Sequence, residues 1–592
     1  MSIIDNKSIA VLPFVNMSND IDNEYFCDGI TEEIINALTK VKSLKVIART
    51  SSFTFKGKNI DIREIGKQLN VNTILEGSIK KVKNKVRITA QLIDVKDGIH
   101  FWSKKYDREL TNIFDLEDEI SLAIADEVRN NFGHFEVQEH LIKQPTNNID
   151  AYQLFLKGRS LQLKWTPSSL KEAIAFYNQA IALDKNYAKA YYANLQCYGL
   201  LAMWGYMPYK EAMDLAVSNL LIAKEIDTTL PEYPMSFVGK FFWEGWDFKN
   251  AYLHINKVLE INPNHIDGLE AMAELCIALG SFDTALQYAN KLLEVDPLSA
   301  NNYYTLAHIY YYQRQYKKAL EKVNYALILN PQLELAHHLK CFCLIWLNKK
   351  EEFTNHIHNT TLIQEKKLLF SLINEHVATV PQKVIDKWAK NSVTQTMLVP
   401  YDAFILSNSN QSDKGFLRVK EMIRQRRGQV INFRQEPFLK PLQKLNGFFD
   451  LHQSNLVTNE VKPLQIKQEE SHSILLDNQQ IDTLKEELLS YFKEDEPYLN
   501  PQLTLKYVAD VLSINTNKMS YLVNQAFDVN FNDFVNSYRL KHFKTIALDP
   551  KNAHLTILGL AYDSGFNSKS VFNTYFKKIE GITPKAWLTT NA

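Results

Sequence analysis

Cysteine is scarce and scattered in this chain. Its five residues among 592 (Cys27, Cys197, Cys276, Cys341, Cys343) contain no C-x-x-C pair and no His partner at metal-ligand spacing. That excludes a disulfide framework and the usual zinc modules, and it suits a reducing cytoplasm. Cys341 and Cys343 lie two apart on an apparent helix, where their side chains diverge, so no redox role is assigned to them. Long apolar runs are missing too. The longest, such as Cys341 to Leu347, fall far below the ~20 residues that span a bilayer, and no membrane association is expected. The amino terminus lacks the basic region and apolar core of a signal peptide, since Asp5, Asn6 and Lys7 precede a short strand-like run. No excess of charge exists, because 67 Lys and Arg face 67 Asp and Glu. Nothing global therefore marks a nucleic-acid binder, and any such role has to be read locally. Catalytic signatures are absent as well: no glycine-rich phosphate loop of the required spacing, no H-E-x-x-H and no G-x-S-x-G. The expectation is a chain that is not an enzyme and carries no cofactor and no metal.

What is present is clearest near the carboxy terminus. Leu555, Leu558, Gly559 and Tyr562 recur at helical spacing, Gly565 supplies the backbone freedom of a sharp turn, and Asn567 or Ser568 can cap a following helix. In that second helix Phe572 and Phe576, spaced i, i+4, face the core. Lys569, Ser570, Asn573, Thr574 and Lys577 are left on a polar, cationic face suited to base edges and phosphates. The pattern occurs once more upstream. Leu505, Val508, Ala509 and Leu512 form one stripe, Ser513-Ile514-Asn515 a turn, and Met519, Leu522, Val523 and Phe527 the buried side of a second helix. Asn517, Ser520, Tyr521 and Asn524 are expected to face outward. Phe534 to Lys541 continues as a helix connecting the units, so two recognition helices could enter successive major grooves about 34 Å apart. From Tyr498 onward there are ten Lys and Arg against six Asp and Glu, a modest positive balance.

Residues from about 498 to 588 resemble the DNA-binding domain of the AraC family of bacterial transcription regulators. Gly565, Phe566, Ser570, Phe572, Phe576, Lys577, Gly581 and Pro584 carry the likeness. The resemblance implies base- or backbone-contacting roles for Asn517, Ser520, Tyr521 and Asn524 in the first unit, and for Lys569, Ser570, Asn573 and Thr574 in the second. Ser513 stands where the family often has a turn glycine, and Trp587-Leu588 where it often ends on an aromatic-Arg pair.

At the other end, Ile9 to Phe14 reads as a buried strand, Asp28 to Leu38 as a helix and Leu44 to Ala48 as a second strand. Ile62 to Leu69 is a second helix, and Val71 to Lys81 with Val86 to Asp94 a hairpin across Lys83-Asn84. Alternating strands and helices indicate a small α/β domain. The lysine-rich hairpin (Lys80, Lys81, Lys83, Lys85, Arg87) is read as a solvated edge rather than a second nucleic-acid surface. This segment resembles the TolB-like domain found ahead of tetratricopeptide repeats in some bacterial adenylate cyclases and regulators, through Ile9 to Phe14, Tyr25 to Ile34, Val46 to Phe53, Leu75 to Ser78, Val86 to Gln91 and Trp102 to Asp107. No cyclase catalytic domain follows. Tyr25, Asp28, Arg49, Thr50 and Trp102 are assigned to core and capping in preference to a ligand pocket.

Between the two ends lies a repeat. Pro263, Pro297 and Pro331 are 34 residues apart, Ala251, Ala285 and Ala319 keep the same step, and small residues recur at Gly239, Ala273 and Ala307. That period indicates, and the array resembles, tetratricopeptide helix pairs, whose solenoids usually expose a concave face for a peptide or helix. Tyr303, Tyr304, Tyr311 and Tyr312 belong either to that face or to the core. The expected organisation is a multidomain chain: a TolB-like α/β domain over 1–135, an α-helical tetratricopeptide solenoid over 148–350 and degenerate helical repeats over 351–453, with a basic cluster at Arg424, Arg426 and Arg427. A linker over 454–479 and an all-α AraC-type DNA-binding domain over 480–592 with two helix-turn-helix units follow, the latter opened by an acidic amphipathic helix, Ile481 to Phe492. The leading functional expectation is a cytoplasmic, sequence-specific transcription regulator that binds double-stranded DNA and receives a protein, peptide or small-molecule signal through its front regions. The alternative is a tetratricopeptide interaction scaffold with weak or non-specific DNA binding. Oligomeric state is left open, a homodimer included.

Overall fold

Strand β1 (Ser8–Val11) is buried along its whole length, as a short unbroken apolar run requires of a strand covered on both faces. In the computed structural model, which describes residues 7–41, 43–164, 166–203, 206–358, 360–375, 379–390, 399–426, 430–456, 460–464 and 475–591, it lies within a mixed sheet. Asp5, Asn6 and Arg427 fall outside the described residues. The chain forms two units: residues 1–144 together with 467–592, and residues 145–466. The second unit is thus inserted in sequence between two parts of the first.

In the α/β part, β1 is flanked by parallel β3 (Lys45–Val46) and β4 (Thr73–Val82), and β2 (Val15–Asn16) runs along the far end of β4. Antiparallel β5 (Lys85–Asp94) and β6 (Ile99–Glu109) extend the sheet. Helix α1 (Glu24–Leu38), one turn longer than the pattern suggests, packs on helix α2 (Ile113–Phe132). The hairpin is not an edge. Strand β6 covers β5, with Arg87 Nε donating to Asp107 Oδ1 at 2.5 Å across the pair, so the exposed edge is β6 with Lys104, Lys105 and Arg108. Strand β6 escaped the pattern because it is an edge strand whose residues are mostly polar and exposed, with Tyr106 alone buried among Ile99–Glu109.

The inserted unit opens with helix pairs: Ile149–Gln162 with Pro167–Leu183, Ala188–Met203 with Tyr209–Ile226, and Glu232–Val238, prolonged by a wide turn, with Phe248–Ile261. Ile266–Leu279 with Phe282–Val295, Ala300–Tyr312 with Tyr316–Leu329, and Glu334–Trp346 with Lys350–Ile357 follow. Pro263, Pro297 and Pro331 each stand two residues beyond a helix end, where a missing N–H and a fixed φ cost nothing. Ala251, Ala273, Ala285, Ala307 and Ala319 are fully buried, because the helices cross too closely for a larger side chain. Tyr311 and Tyr312 belong to the core.

Degenerate repeats describe only part of 351–453. Ile363–Asn374, Gln382–Lys390, Tyr401–Ser407 and Ser412–Arg424 are helical, but the described residues from 430 to 464 contain no α-helix. They form a strap that turns back across the ends of the first helices of the pairs. Phe433 stacks on Trp246 and Phe438 on Trp346, while the Tyr311 hydroxyl donates to Glu436 Oε1 at 2.8 Å. Beyond it, Asn455 donates to Asp247, and the Leu464 amide donates to Gln287 Oε1. Leu456 and Val461 are buried, so the first part of the stretch expected as linker is packed chain; residues 457–459 and 465–474 lie outside the described set. Of the basic cluster, Arg424 pairs with Glu421 and Arg426 donates to the Gly245 carbonyl.

The helix expected at Ile481 to Phe492 runs Asn478–Glu494, started by a capping box between Asp477 and Gln480, and buries Leu488 and Phe492.

Candidate nucleic-acid interface

Each helix-turn-helix unit is built from a short capped helix, a turn that needs a left-handed residue, and a second capped helix. In the carboxy-terminal unit Thr556 caps Ile557–Asp563 by accepting from the Gly559 amide, and Gly565 turns the chain at φ +88°. A Cβ there would lie 2.1 Å from the Tyr498 carbonyl oxygen, so glycine is required by space as well as by conformation. Ser568, one of the two expected caps, accepts from the Val571 amide and starts the helix Lys569–Glu580. Phe572 and Phe576 are buried against Phe543 of the connecting helix Phe531–Ala547. Leu555 and Tyr562, counted in the apolar stripe, are instead largely exposed at 39% and 47%, and Leu560 and Ala561 make the contact.

The polar face of this second recognition helix is open. Lys569, Ser570, Thr574 and Lys577 are exposed and Asn573 is half-buried, together spanning roughly 140° of the helix at ~100° per residue. Neighbouring cations are committed elsewhere: Lys578 pairs with Asp533 at 2.8 Å and Lys544 with Glu580 at 2.5 Å. Among the described residues no ion pair holds Lys569 or Lys577, which leaves both ammonium groups available to phosphate.

In the first unit Thr504 caps Leu505–Val511, Ser513 takes the left-handed turn at φ +55°, and Asn515 caps Thr516–Phe527. Met519, Leu522 and Val523 are buried as the spacing predicts. The outward placement of Asn517, Ser520, Tyr521 and Asn524 is corrected by the structure. Spaced i, i+3, i+4, i+7, they form a single narrow stripe, and that stripe is packed against the α/β part. Ser520 is 2% exposed and Tyr521 7%, with the His134 ring 5.5 Å from the tyrosine ring, edge to face. Asn517 Oδ1 accepts from Arg129 Nη1 at 2.5 Å and from the Val137 amide at 3.1 Å, and its Nδ2 donates to the Val137 carbonyl at 3.0 Å. Asn524 Oδ1 accepts from the His134 amide at 3.1 Å. A seam of polar residues can satisfy backbone amides as readily as base edges, and here it does so.

Arg129, His134 and Val137 were therefore missed as partners of the site, and nothing local could have revealed them across some 380 residues of sequence. The segment that carries His134 and Val137 is itself anchored, since the Leu141 and Ile142 amides donate to Asp118 Oδ1 and the Lys40 ammonium donates to the Leu141 carbonyl. The connecting helix is tied in by buried Arg539, whose Nε and Nη2 donate to the Tyr498 and Asn500 carbonyls. Burial without a carboxylate partner pushes that guanidinium down to about 10.

Comparisons with known proteins divide along the same lines. Residues 508–590 match the family described as a helix-turn-helix domain, residues 5–122 that of the second domain of HilA/YgeH-like transcriptional regulators, and residues 280–360 that of anaphase-promoting complex, cyclosome, subunit 3. Among curated proteins the chain is 41% identical over 184 residues to putative adenylate cyclase 3 of Rhizobium meliloti (strain 1021), a stretch that is 31% of each chain. It is 29% identical over 86 residues to the transcriptional regulator HilA of Salmonella typhimurium, covering 14% of this chain and 16% of that one. The matched stretches thus span less than a third of those relatives' length. Among solved structures, the tetratricopeptide protein YrrB, described as having an unusual peptide-binding site, is 24% identical over 32% of this chain and 92% of its own, with a TM-score of 0.22.

Proposed function

We propose that this chain, whose carboxy-terminal domain is a helix-turn-helix domain of the AraC type and whose middle is a tetratricopeptide array, is a sequence-specific DNA-binding transcription regulator. The observation that carries the reading is the open face of the second recognition helix, with two uncommitted lysines flanking Asn573 and Thr574 on a rigidly capped helix. Lysines position the helix on phosphates, and the amide and hydroxyl groups between them address base edges. The α/β and repeat regions are the receivers of a signal, a protein or peptide being the class that stacked helix pairs accommodate best. In this reading the chain works in the cytoplasm by binding, with no turnover of its own. No described helix is long and apolar enough to cross a membrane.

The test is competition between selected and random duplex for the full chain and for a Lys569→Ala, Asn573→Ala double variant. Loss of one bidentate base contact and one phosphate contact should cut the preference for selected duplex by tenfold or more. Undiminished preference would remove the second recognition helix from the interface. The buried stripe on the first unit favours a second reading, an interaction scaffold that holds DNA weakly. It differs in predicting a steep salt dependence with little discrimination between duplexes.

A further inference from the structure

We infer that the segment from Arg129 to Val137 occupies the first recognition helix in place of DNA, with the backbone N–H and C=O of Val137 seated on Asn517 where an adenine edge would sit. The inference rests on the DNA-binding reading and adds an internal competitor to it. Asparagine recognises adenine by a paired contact, its oxygen accepting from the N6 amino group and its amide donating to N7. At Asn517 the same two atoms are used in the same sense: Oδ1 accepts from the Val137 N–H at 3.1 Å and Nδ2 donates to the Val137 C=O at 3.0 Å. The N–H and C=O of Val137, like an adenine edge, offer one donor and one acceptor to the same amide, so they compete for one side chain and cannot share it.

The rest of the contact follows this pattern. The Arg129 guanidinium sits on Asn517 as a second donor, and the His134 amide is held by Asn524 Oδ1, one helical turn on from Ser520. The His134 ring packs edge to face on Tyr521, and Asn530 Nδ2, at the start of the connecting helix, donates to the Asn131 carbonyl at 3.0 Å. Gly133, at φ +101°, lets the chain leave helix α2 with a would-be Cβ only 3.3 Å from Asn524 Oδ1. Asn517, Tyr521 and Asn524 of the stripe assigned to base or backbone contact are thereby engaged and Ser520 is buried, whereas the second recognition helix is free. The chain as folded is set to read DNA with one unit, and a signal that draws the 129–137 segment away adds the other.

The test uses the full chain and a duplex chosen from a randomised pool by its His134→Ala variant. Hydrogen exchange is followed in peptides covering residues 130–140, with and without saturating duplex. The His134 and Val137 amides should be protected in the free protein and exchange at least tenfold faster when the duplex is bound, because DNA takes their acceptors. In parallel, His134→Ala should bind that duplex at least fivefold more tightly than the unaltered chain. Asn517→Ala should weaken binding by between about fivefold and a hundredfold in the His134→Ala background, and by clearly less in the unaltered one, where it also loosens the cover. Protection that persists while duplex is bound, or an Asn517→Ala penalty equal in both backgrounds, overturns the inference and leaves DNA binding standing. A pool from which no protein selects any sequence overturns both.

Discussion

Two glycines of the carboxy-terminal domain share a left-handed φ, Gly565 at +88° and Gly581 at +74°, yet alanine at these positions should have very different consequences. Gly581 closes the second recognition helix and a Cβ there would meet nothing within 4 Å, so Gly581→Ala carries only the conformational cost of about 1 kcal/mol. At Gly565 the added carbon would stand 2.1 Å from the Tyr498 carbonyl oxygen and 2.9 Å from Leu499 Cα. Backbone must move by roughly 1 Å to restore ordinary contact, and that backbone is the acceptor for Arg539. Losing one hydrogen bond to a buried charged group costs about 1.5–3 kcal/mol. Added to the conformational cost, Gly565→Ala should lose about 2.5–4 kcal/mol against about 1 for Gly581→Ala. Hydrogen exchange of the buried helix peptides around Phe572 and Phe576 reads this directly, as a fall in protection of roughly 70-fold to 900-fold against about fivefold. Equal losses at the two sites would refute the close approach of the turn to the Tyr498 loop.

In the repeat unit, burial pushes the Glu436 carboxyl up to about 7. Between the ordinary carboxyl value of about 4.3 and 7 the folded chain holds a proton that the unfolded chain does not. Stability of this unit should therefore fall as pH rises through that window, by up to ~4 kcal/mol, and stay low above it. Glu436→Gln keeps an oxygen for the Tyr311 hydroxyl and the Phe438 amide, so its thermal unfolding should show a flatter pH dependence between 5 and 8 and a higher midpoint at pH 8. Identical slopes in both proteins would contradict the buried-proton account. Ser513→Gly should raise protection of the Met519 and Leu522 amides by about 0.5–1 kcal/mol, because serine holds φ +55° at the first turn; a fall would show that the turn is not strained.

Local chemistry made much of this molecule readable. Gly565, Ser568 and the Phe572/Phe576 pair specify a turn, a cap and a buried face within a dozen residues, and the 34-residue step of Pro263, Pro297 and Pro331 specifies the helix pairs. What escaped depends on distant chain. Strand β6 was hidden because most of its residues are polar and exposed, and the strap from 430 to 464 buries apolar residues such as Phe433, Phe438, Leu456 and Val461 without a helical or strand period. The stripe Asn517, Ser520, Tyr521, Asn524 has the composition of a DNA-reading surface, and only the folded chain reveals that backbone amides of residues 134 and 137 already use it. A polar helix face states what it can bond to and leaves the partner unspecified.

The most direct test of the central claim is selection of bound sequences from a randomised duplex pool by the full chain at about 0.15 M salt, repeated with the Lys569→Ala, Asn573→Ala variant. The account predicts a reproducible motif for the unaltered chain, centred on the half-site read by the helix Lys569–Glu580, and its loss in the variant. Recovery of duplex without any common motif, or the same motif from both proteins, would contradict it.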